Sequence, residues 1–207
     1  MEVRDRIVKK AHELFMRYGI RSVSMDEVAS QLGMSKKTIY QFYADKDSLV
    51  EDVIDIELHE SECTCTNHKA LSSNAIDEIF LAMDMMQELL SRMNPNVIFD
   101  MEKYHPNAFK KYNEFKNKFL YTMIKQNLEK GKEEGLYRPE VNTEIMTRFR
   151  LASTFLVFNP DLFPLGKHSL ATVIIETTDN FLCGLATAKG LKLIQKYKQH
   201  RLKTTTL

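Results

Sequence analysis

Cysteine, proline and glycine are all scarce, with 3, 5 and 7 copies in 207 residues. Cys63, Cys65 and Cys183 are too few and too unevenly placed for a disulfide framework. The small supply of turn formers argues against an all-β chain and for helix. No run of 18 apolar residues occurs, so no membrane span is expected. The opening MEVRDRIVKK is charged and leads into no apolar stretch, so a secretory signal is not expected either. The expectation is a cytoplasmic protein without a membrane partner. Also missing are a nucleophile elbow, a Gly-rich phosphate loop and a paired His/carboxylate motif. Neither an enzyme nor a cofactor is expected.

What is present is a helical pattern with an uneven charge. Hydrophobic residues make up 43% and charged residues 28%, ordinary for a globular chain long enough for one large core or two modest domains. The net charge of +1 is no argument for nucleic acid, but its distribution is informative: residues 1–49 carry 9 Lys/Arg against 7 Asp/Glu, and 180–207 carry 6 Lys/Arg and no acid. The middle is therefore acidic, and only the head groups its cations with aromatics and hydroxyls. The basic tail from Lys189 to Lys203 reads as a solvated helix end, a place where the helix dipole favours Lys.

Apolar residues at spacings of three and four predict a helix over 3–18, ended by Gly19. Ser24 caps a short second helix, with Glu27 completing a capping-box pattern. Gly33 ends that helix, Ser35 caps a third through about Phe42, and Asp45 caps a fourth that runs toward position 62. Residues 63–73 read as a loop. Asn74 caps the next helix, NPN at 94–96 breaks it, and further helices follow over 97–104, to about Glu134, and over 143–158. Residues 159–166 read as irregular, and a last helix runs from about 168 to 197. There is no alternating strand pattern, and the chain reads as all-α with about nine helices.

Residues 25–43 fit a helix-turn-helix. Val28, Leu32, Met34, Ile39 and Phe42 supply its apolar positions, Ala29 its close approach and Gly33 its turn. Lys36 and Lys37 open the third helix, where the dipole disfavours positive charge. An anion outside the chain resolves that conflict if this helix enters a DNA groove N-terminus first. The stretch AHELFMRYGIRSVSMDEVASQLGMSKKTIYQFYADKDSLV (11–50) resembles the N-terminal domain of the tetracycline-repressor (TetR) family of bacterial transcription regulators. Ala44 departs from the family pattern, where a polar or basic residue is common. The resemblance implies a helix-turn-helix DNA-binding domain over 1–46 and a larger helical effector-binding and dimerisation domain over 47–207.

It further implies roles for single residues. Ser24 and the backbone N–H of Met25 hold a phosphate. Ser35 lies among the DNA-facing residues. Lys36, Lys37, Thr38 and Gln41 face the groove, where Gln41 can read adenine and Lys guanine. Tyr40, Tyr43 and Lys46 grip phosphates, though Tyr43 can instead pack against the first helix. The implied partners are a double-stranded operator, a small-molecule effector and a second copy of the chain.

The stretch 74–134 is rich in Met and aromatics. Most of them are core, but the supply of adaptable apolar surface also suits an effector pocket. Candidate lining residues are Phe80, Met83, Met86, Tyr104, Tyr112, Phe115, Phe119, Met123 and Phe155, with Tyr112, Asn127, His105 and Thr154 as polar anchors. The last two long apolar helices suit a two-chain interface. The expected function is a repressor released from a palindromic operator by a lipophilic or aromatic molecule. The alternative is a thiol- or metal-responsive regulator built on His59, Cys63, Cys65 and His68, whose H-x₃-C-x-C-x₂-H spacing is irregular for zinc.

Overall fold

The computed structural model describes residues 2–159, 161–164 and 167–205, the side chains of 202–205 excepted. Pro160, Leu165 and Gly166 of the irregular stretch, and the side chain of Lys203, lie outside the described residues. Among the described residues the regular elements are helical: α1 (Val3–Tyr18), α2 (Met25–Gln31), α3 (Lys36–Tyr40), α4 (Lys46–Leu71), α5 (Ala75–Arg92), α6 (Asn96–Tyr104), α7 (Pro106–Glu114), α8 (Tyr121–Glu133), α9 (Thr143–Phe155), α10 (Leu170–Leu185) and α11 (Ala188–Thr205). A π-helical stretch, Phe115–Leu120, joins α7 to α8, and a 3-10 turn, Leu156–Phe158, follows α9. The all-α expectation holds.

Local chemistry sets many of the boundaries. Asp45 Oδ1 accepts from the Ser48 N–H at 2.8 Å, and Asn142 Oδ1 from the Ile145 N–H at 3.0 Å. Asn74 Oδ1 takes the N–H groups of Ile76 and Asp77, both at 3.0 Å. These contacts satisfy donors that a helix start leaves without intrahelical partners.

Two expectations are corrected. The stretch 63–73 is not a loop, because α4 continues through it to Leu71. Its Cys, Thr, Asn and His are only mediocre helix formers, but no Gly or Pro interrupts them, and Lys69 Nζ donates to Gln126 Oε1 at 2.6 Å. The last helix is two, broken at Ala186 and Thr187. There the Arg138 N–H donates to Leu185 O at 2.8 Å and the Thr187 N–H to Leu136 O at 2.9 Å. Thr187 Oγ1 then accepts the Gly190 N–H at 3.1 Å and starts α11.

The chain groups into two compact units. One comprises the chain up to Cys63 with Leu89–Phe115; the other comprises Thr64–Glu88 with the chain from Lys116 onward. In the first, Ile7, Ala11 and Phe15 of α1, Val28 of α2, Ile39 of α3 and Leu49 of α4 are buried. α6 and α7 belong to the same unit: the Arg21 N–H donates to Asp100 Oδ2 at 2.9 Å, and His105 Nδ1 lies 2.6 Å from Asp47 Oδ1. In the second, Ile76, Ile79, Phe80, Leu128, Leu182 and Ile194 form a cluster with Tyr137. The Tyr137 hydroxyl donates to Asn127 Oδ1 at 3.2 Å and Ala75 O at 3.3 Å.

The second unit holds an inverted helix. On α9, Thr147, Arg150, Leu151 and Ser153 are buried, while Ile145 and Phe149 are 62% and 54% exposed; Leu156, in the 3-10 turn that follows, is 40% exposed.

Candidate nucleic-acid interface

The head begins with α1, whose Ile7, Ala11 and Phe15 anchor the two shorter helices. Ser24 Oγ accepts from the Glu27 N–H at 3.1 Å and starts α2. Gly33 carries the chain through the turn at φ +64°, a left-handed conformation that costs glycine little. Ser35 Oγ then accepts from the Thr38 N–H at 3.1 Å and starts α3. Ile39 is fully buried and fixes the roll of α3. With Ile39 inward, Lys36, Lys37, Tyr40 and Gln41 are exposed on one short element, and Thr38 is half-buried beside them. Met25, the first residue of α2, has a buried side chain.

The conflict at the start of α3 has an internal answer as well as an external one. Lys36 Nζ lies 2.7 Å from Asp26 Oδ1 and 5.9 Å from the centre of the Tyr40 ring. Asp26 holds the Lys36 ammonium above its ordinary pKa through a hydrogen bond and its charge. Both partners are exposed, so the pair is weak and its lysine can exchange Asp26 for a phosphate at little cost.

Two of the sequence candidates are engaged in the fold. Tyr43 is buried; its hydroxyl donates to Asp52 Oδ2 and accepts from Arg4 Nε at 3.4 Å. Burial, then the hydrogen bond to Asp52, pushes the Tyr43 phenol up to about 12. Lys46 Nζ donates to Ile20 O at 2.6 Å, and burial lowers its pKa. A lysine ammonium has three donors, so this bond leaves two. The expectation that Phe42 belongs to the core is corrected: it is 43% exposed. α3 ends at Tyr40 with Gln41 as its cap, and that places Phe42 outside the helical face Ile39 defines.

The effector candidates divide between the units. Tyr104, Tyr112 and Phe115 fall in the first. There Arg21 stands 5.2 Å over the Tyr104 ring, and burial raises the Tyr112 phenol. Phe80, Met83, Met86, Phe119, Met123 and Phe155 fall in the second. Phe80 and Met83 are brought together in a groove of about 920 Å³ with Ile175, Leu182, Asp84 and Arg201. Met86, Phe119, Met123 and Phe155 are half-buried and stand outside the residues lining that groove. Asn127 is committed to the interior, donating to Ala75 O at 2.9 Å.

Sequence reasoning missed Arg150. Its signal was a cation in helical register with two small hydroxyl residues, Thr147 and Ser153, three residues from each on α9. The guanidinium Nη2 donates to Thr178 Oγ1 at 2.9 Å, and its carbon stands 5.2 Å from the centre of the Phe181 ring.

The thiol segment does not converge. His59 Nε2 lies 3.8 Å from Cys63 Sγ, one helical turn away, whereas Cys65 Sγ faces Met85 Sδ at 3.9 Å. Two residues on a helix are about 200° apart, so the two thiols diverge. Among the described residues no group of three or more His, Cys, Asp or Glu side chains is placed to hold a metal ion. None of the described helices is long and apolar enough to cross a membrane.

Comparison with known proteins agrees with this geometry. The family model described as "Bacterial regulatory proteins, tetR family" matches residues 7–53. The uncharacterized HTH-type transcriptional regulator YvaF of Bacillus subtilis is 25% identical over 170 residues, 81% of this chain and 86% of that one. A transcriptional regulator from Saccharomonospora viridis solved in complex with choline shares the fold at a TM-score of 0.71, with 16% identity over 89% of this chain and 97% of that one. Thermus thermophilus FadR, solved in complex with lauroyl-CoA, does so at 0.58, with 19% identity over 89% and 95%.

Proposed function

Because this chain belongs to the tetR family of bacterial regulatory proteins, we propose that it is a cytoplasmic, dimeric repressor that leaves a palindromic operator when a small lipophilic molecule binds. One observation carries the reading. Lys36, Lys37 and Tyr40 are exposed together on a five-residue helix whose roll is fixed by buried Ile39, with Gln41 exposed as its cap. Cations and a phenol at a helix start suit phosphates and base edges. Residues 1–46 are the DNA-binding domain in this reading, with Ser24, Met25, Ser35 and Thr38 presenting hydroxyls and backbone donors, and Lys46 a phosphate contact. The Tyr43 hydroxyl is held by Asp52 and Arg4, so its part is to position α3 against α4.

Residues 47–207 are the effector and dimer domain. Ile145 and Phe149 are exposed one turn apart on α9, Leu156 is exposed in the 3-10 turn that follows, and Asn180, Cys183 and Gly184 of α10 are exposed. A water-facing apolar surface of this kind is what a second copy would cover. For the effector, the relatives argue only that the scaffold takes small molecules. Choline and lauroyl-CoA differ so widely that the ligand's chemistry has to come from this chain's own side chains.

The test is a titration of DNA upstream of the protein's own coding region, followed by fluorescence anisotropy at several salt concentrations. Lys37→Ala should weaken binding to specific and unrelated duplexes alike and reduce the slope of log affinity against log salt by about 1. Tyr40→Ala should weaken both without changing which sequence is preferred. Two variants with the parent's affinity and slope would show that α3 does not meet the duplex.

A further inference from the structure

Charged side chains are almost never fully buried without a partner, because the lost hydration must be replaced by an opposite charge. Arg150 breaks that rule. It is only 8% exposed. Nη2 donates to a neutral hydroxyl, Thr178 Oγ1 at 2.9 Å, and Nη1 has no hydrogen-bond partner among the described residues. The Phe181 ring face, 5.2 Å away, offsets only part of the charge. Burial lowers the guanidinium to about 10, which still leaves it protonated at neutral pH. Burial also raises the Tyr137 phenol, so that neighbour supplies no negative charge.

The buried faces of α9 and α10 set polar groups among apolar ones. Thr147 and Thr178 are fully buried, and Ser153 is nearly so, which puts three hydroxyls among apolar buried neighbours such as Leu151 on α9 and Val173, Ile174 and Leu182 on α10. Arg150 is turned into an interior that it shares with Leu151, while Ile145 and Phe149 face water. The guanidinium fork fits planar oxyanions, which take two of its donors at once.

We propose that Arg150 anchors the anionic head, a carboxylate or a phosphate monoester, of an otherwise apolar effector. Nη1 donates to the head, and Thr178 fixes the plane of the guanidinium. This rests on reading residues 47–207 as effector-binding and adds the sign of the effector's charge.

Thermal unfolding of the full chain tests it. The probes are dodecanoate, dodecyl phosphate and dodecanol, each below its micelle threshold. One of the two anions should raise Tm by several degrees, and which one does identifies the source of the oxyanion. Dodecanol should need at least tenfold more ligand for the same shift. Arg150→Met should unfold, without ligand, at or above the parent's Tm and lose the anion response at least tenfold. If Arg150→Met does not fold, Arg150→Lys keeps the charge without the fork and should bind the anion at least threefold more weakly. A parent that responds to neither anion, or to dodecanol equally, overturns the proposal. An unchanged anion response in the variant overturns it as well. No DNA is present in the assay, so these failures are separate from failure of the regulator reading, which the operator titration decides.

Discussion

At the residue scale, Gly131 sets two ordinary rules against each other. Alanine in place of a mid-helix glycine gains up to about 1 kcal/mol from backbone entropy. Here a Cβ would stand 2.1 Å from Cδ2 and 2.2 Å from Cε2 of Tyr137. That ring cannot swing away cheaply, since its buried hydroxyl is tied to Asn127 and Ala75. Overpacking in a filled interior costs about 1–3 kcal/mol. The steric term wins, so Gly131→Ala should lower stability by roughly 1–2 kcal/mol in urea titration. A variant equal to or above the parent would show that the Tyr137 hydroxyl network is loose.

At the element scale, what the sequence could disclose was local. Ser24, Ser35, Asp45, Asn74 and Asn142 were readable as caps because a cap needs only its own next few residues. The helix-turn-helix was readable because Gly33 and Ile39 act within a span of seven residues. The break between α10 and α11 was not, because it is made by backbone bonds to Leu136 and Arg138, some fifty residues earlier in the chain. The continuation of α4 past Cys63 was hidden for the same reason: residues of middling propensity follow their tertiary partners. In the candidate site, the exposed row on α3 was legible from spacing, but the Asp26 partner of Lys36 and the burial of Arg150 were not. A cap gives a test at this scale. Ser35 starts a helix of five residues, so its hydroxyl serves a large share of that element. Ser35→Ala should cost about 1 kcal/mol, and Ser35→Gly only a few tenths, in denaturant unfolding. Equal losses from the two would mean that the side-chain bond to the Thr38 N–H contributes nothing.

At the scale of the whole molecule, the outer face of α9 stands out for its exposed apolar side chains. Two large apolar side chains of α9, Ile145 and Phe149, lie exposed one turn apart on a helix whose other side is buried, and Leu156 of the 3-10 turn that follows is exposed as well. Single exposed hydrophobics are normal, but a pair at helical spacing beside the exposed small residues Cys183 and Gly184 of α10 is a surface two helices of a second copy can cover. A two-fold pair would present two α3 helices to DNA, and the affinity of a near-palindromic site depends on both binding together. Phe149 is more than half exposed and stacks on Phe181 at 6.3 Å between ring centres, so a charge placed there meets water in a monomer and apolar surface in a dimer. Phe149→Glu should therefore fold, sediment as a monomer at micromolar concentration, and lose at least a hundredfold in operator affinity, within the range ascribed to linked binding. Its affinity for a half-site should stay close to the parent's. Analytical ultracentrifugation with anisotropy on whole and half operators checks both. A Phe149→Glu chain that still sediments as a dimer would move the interface off α9, and a monomer that kept full operator affinity would break the link between pairing and recognition.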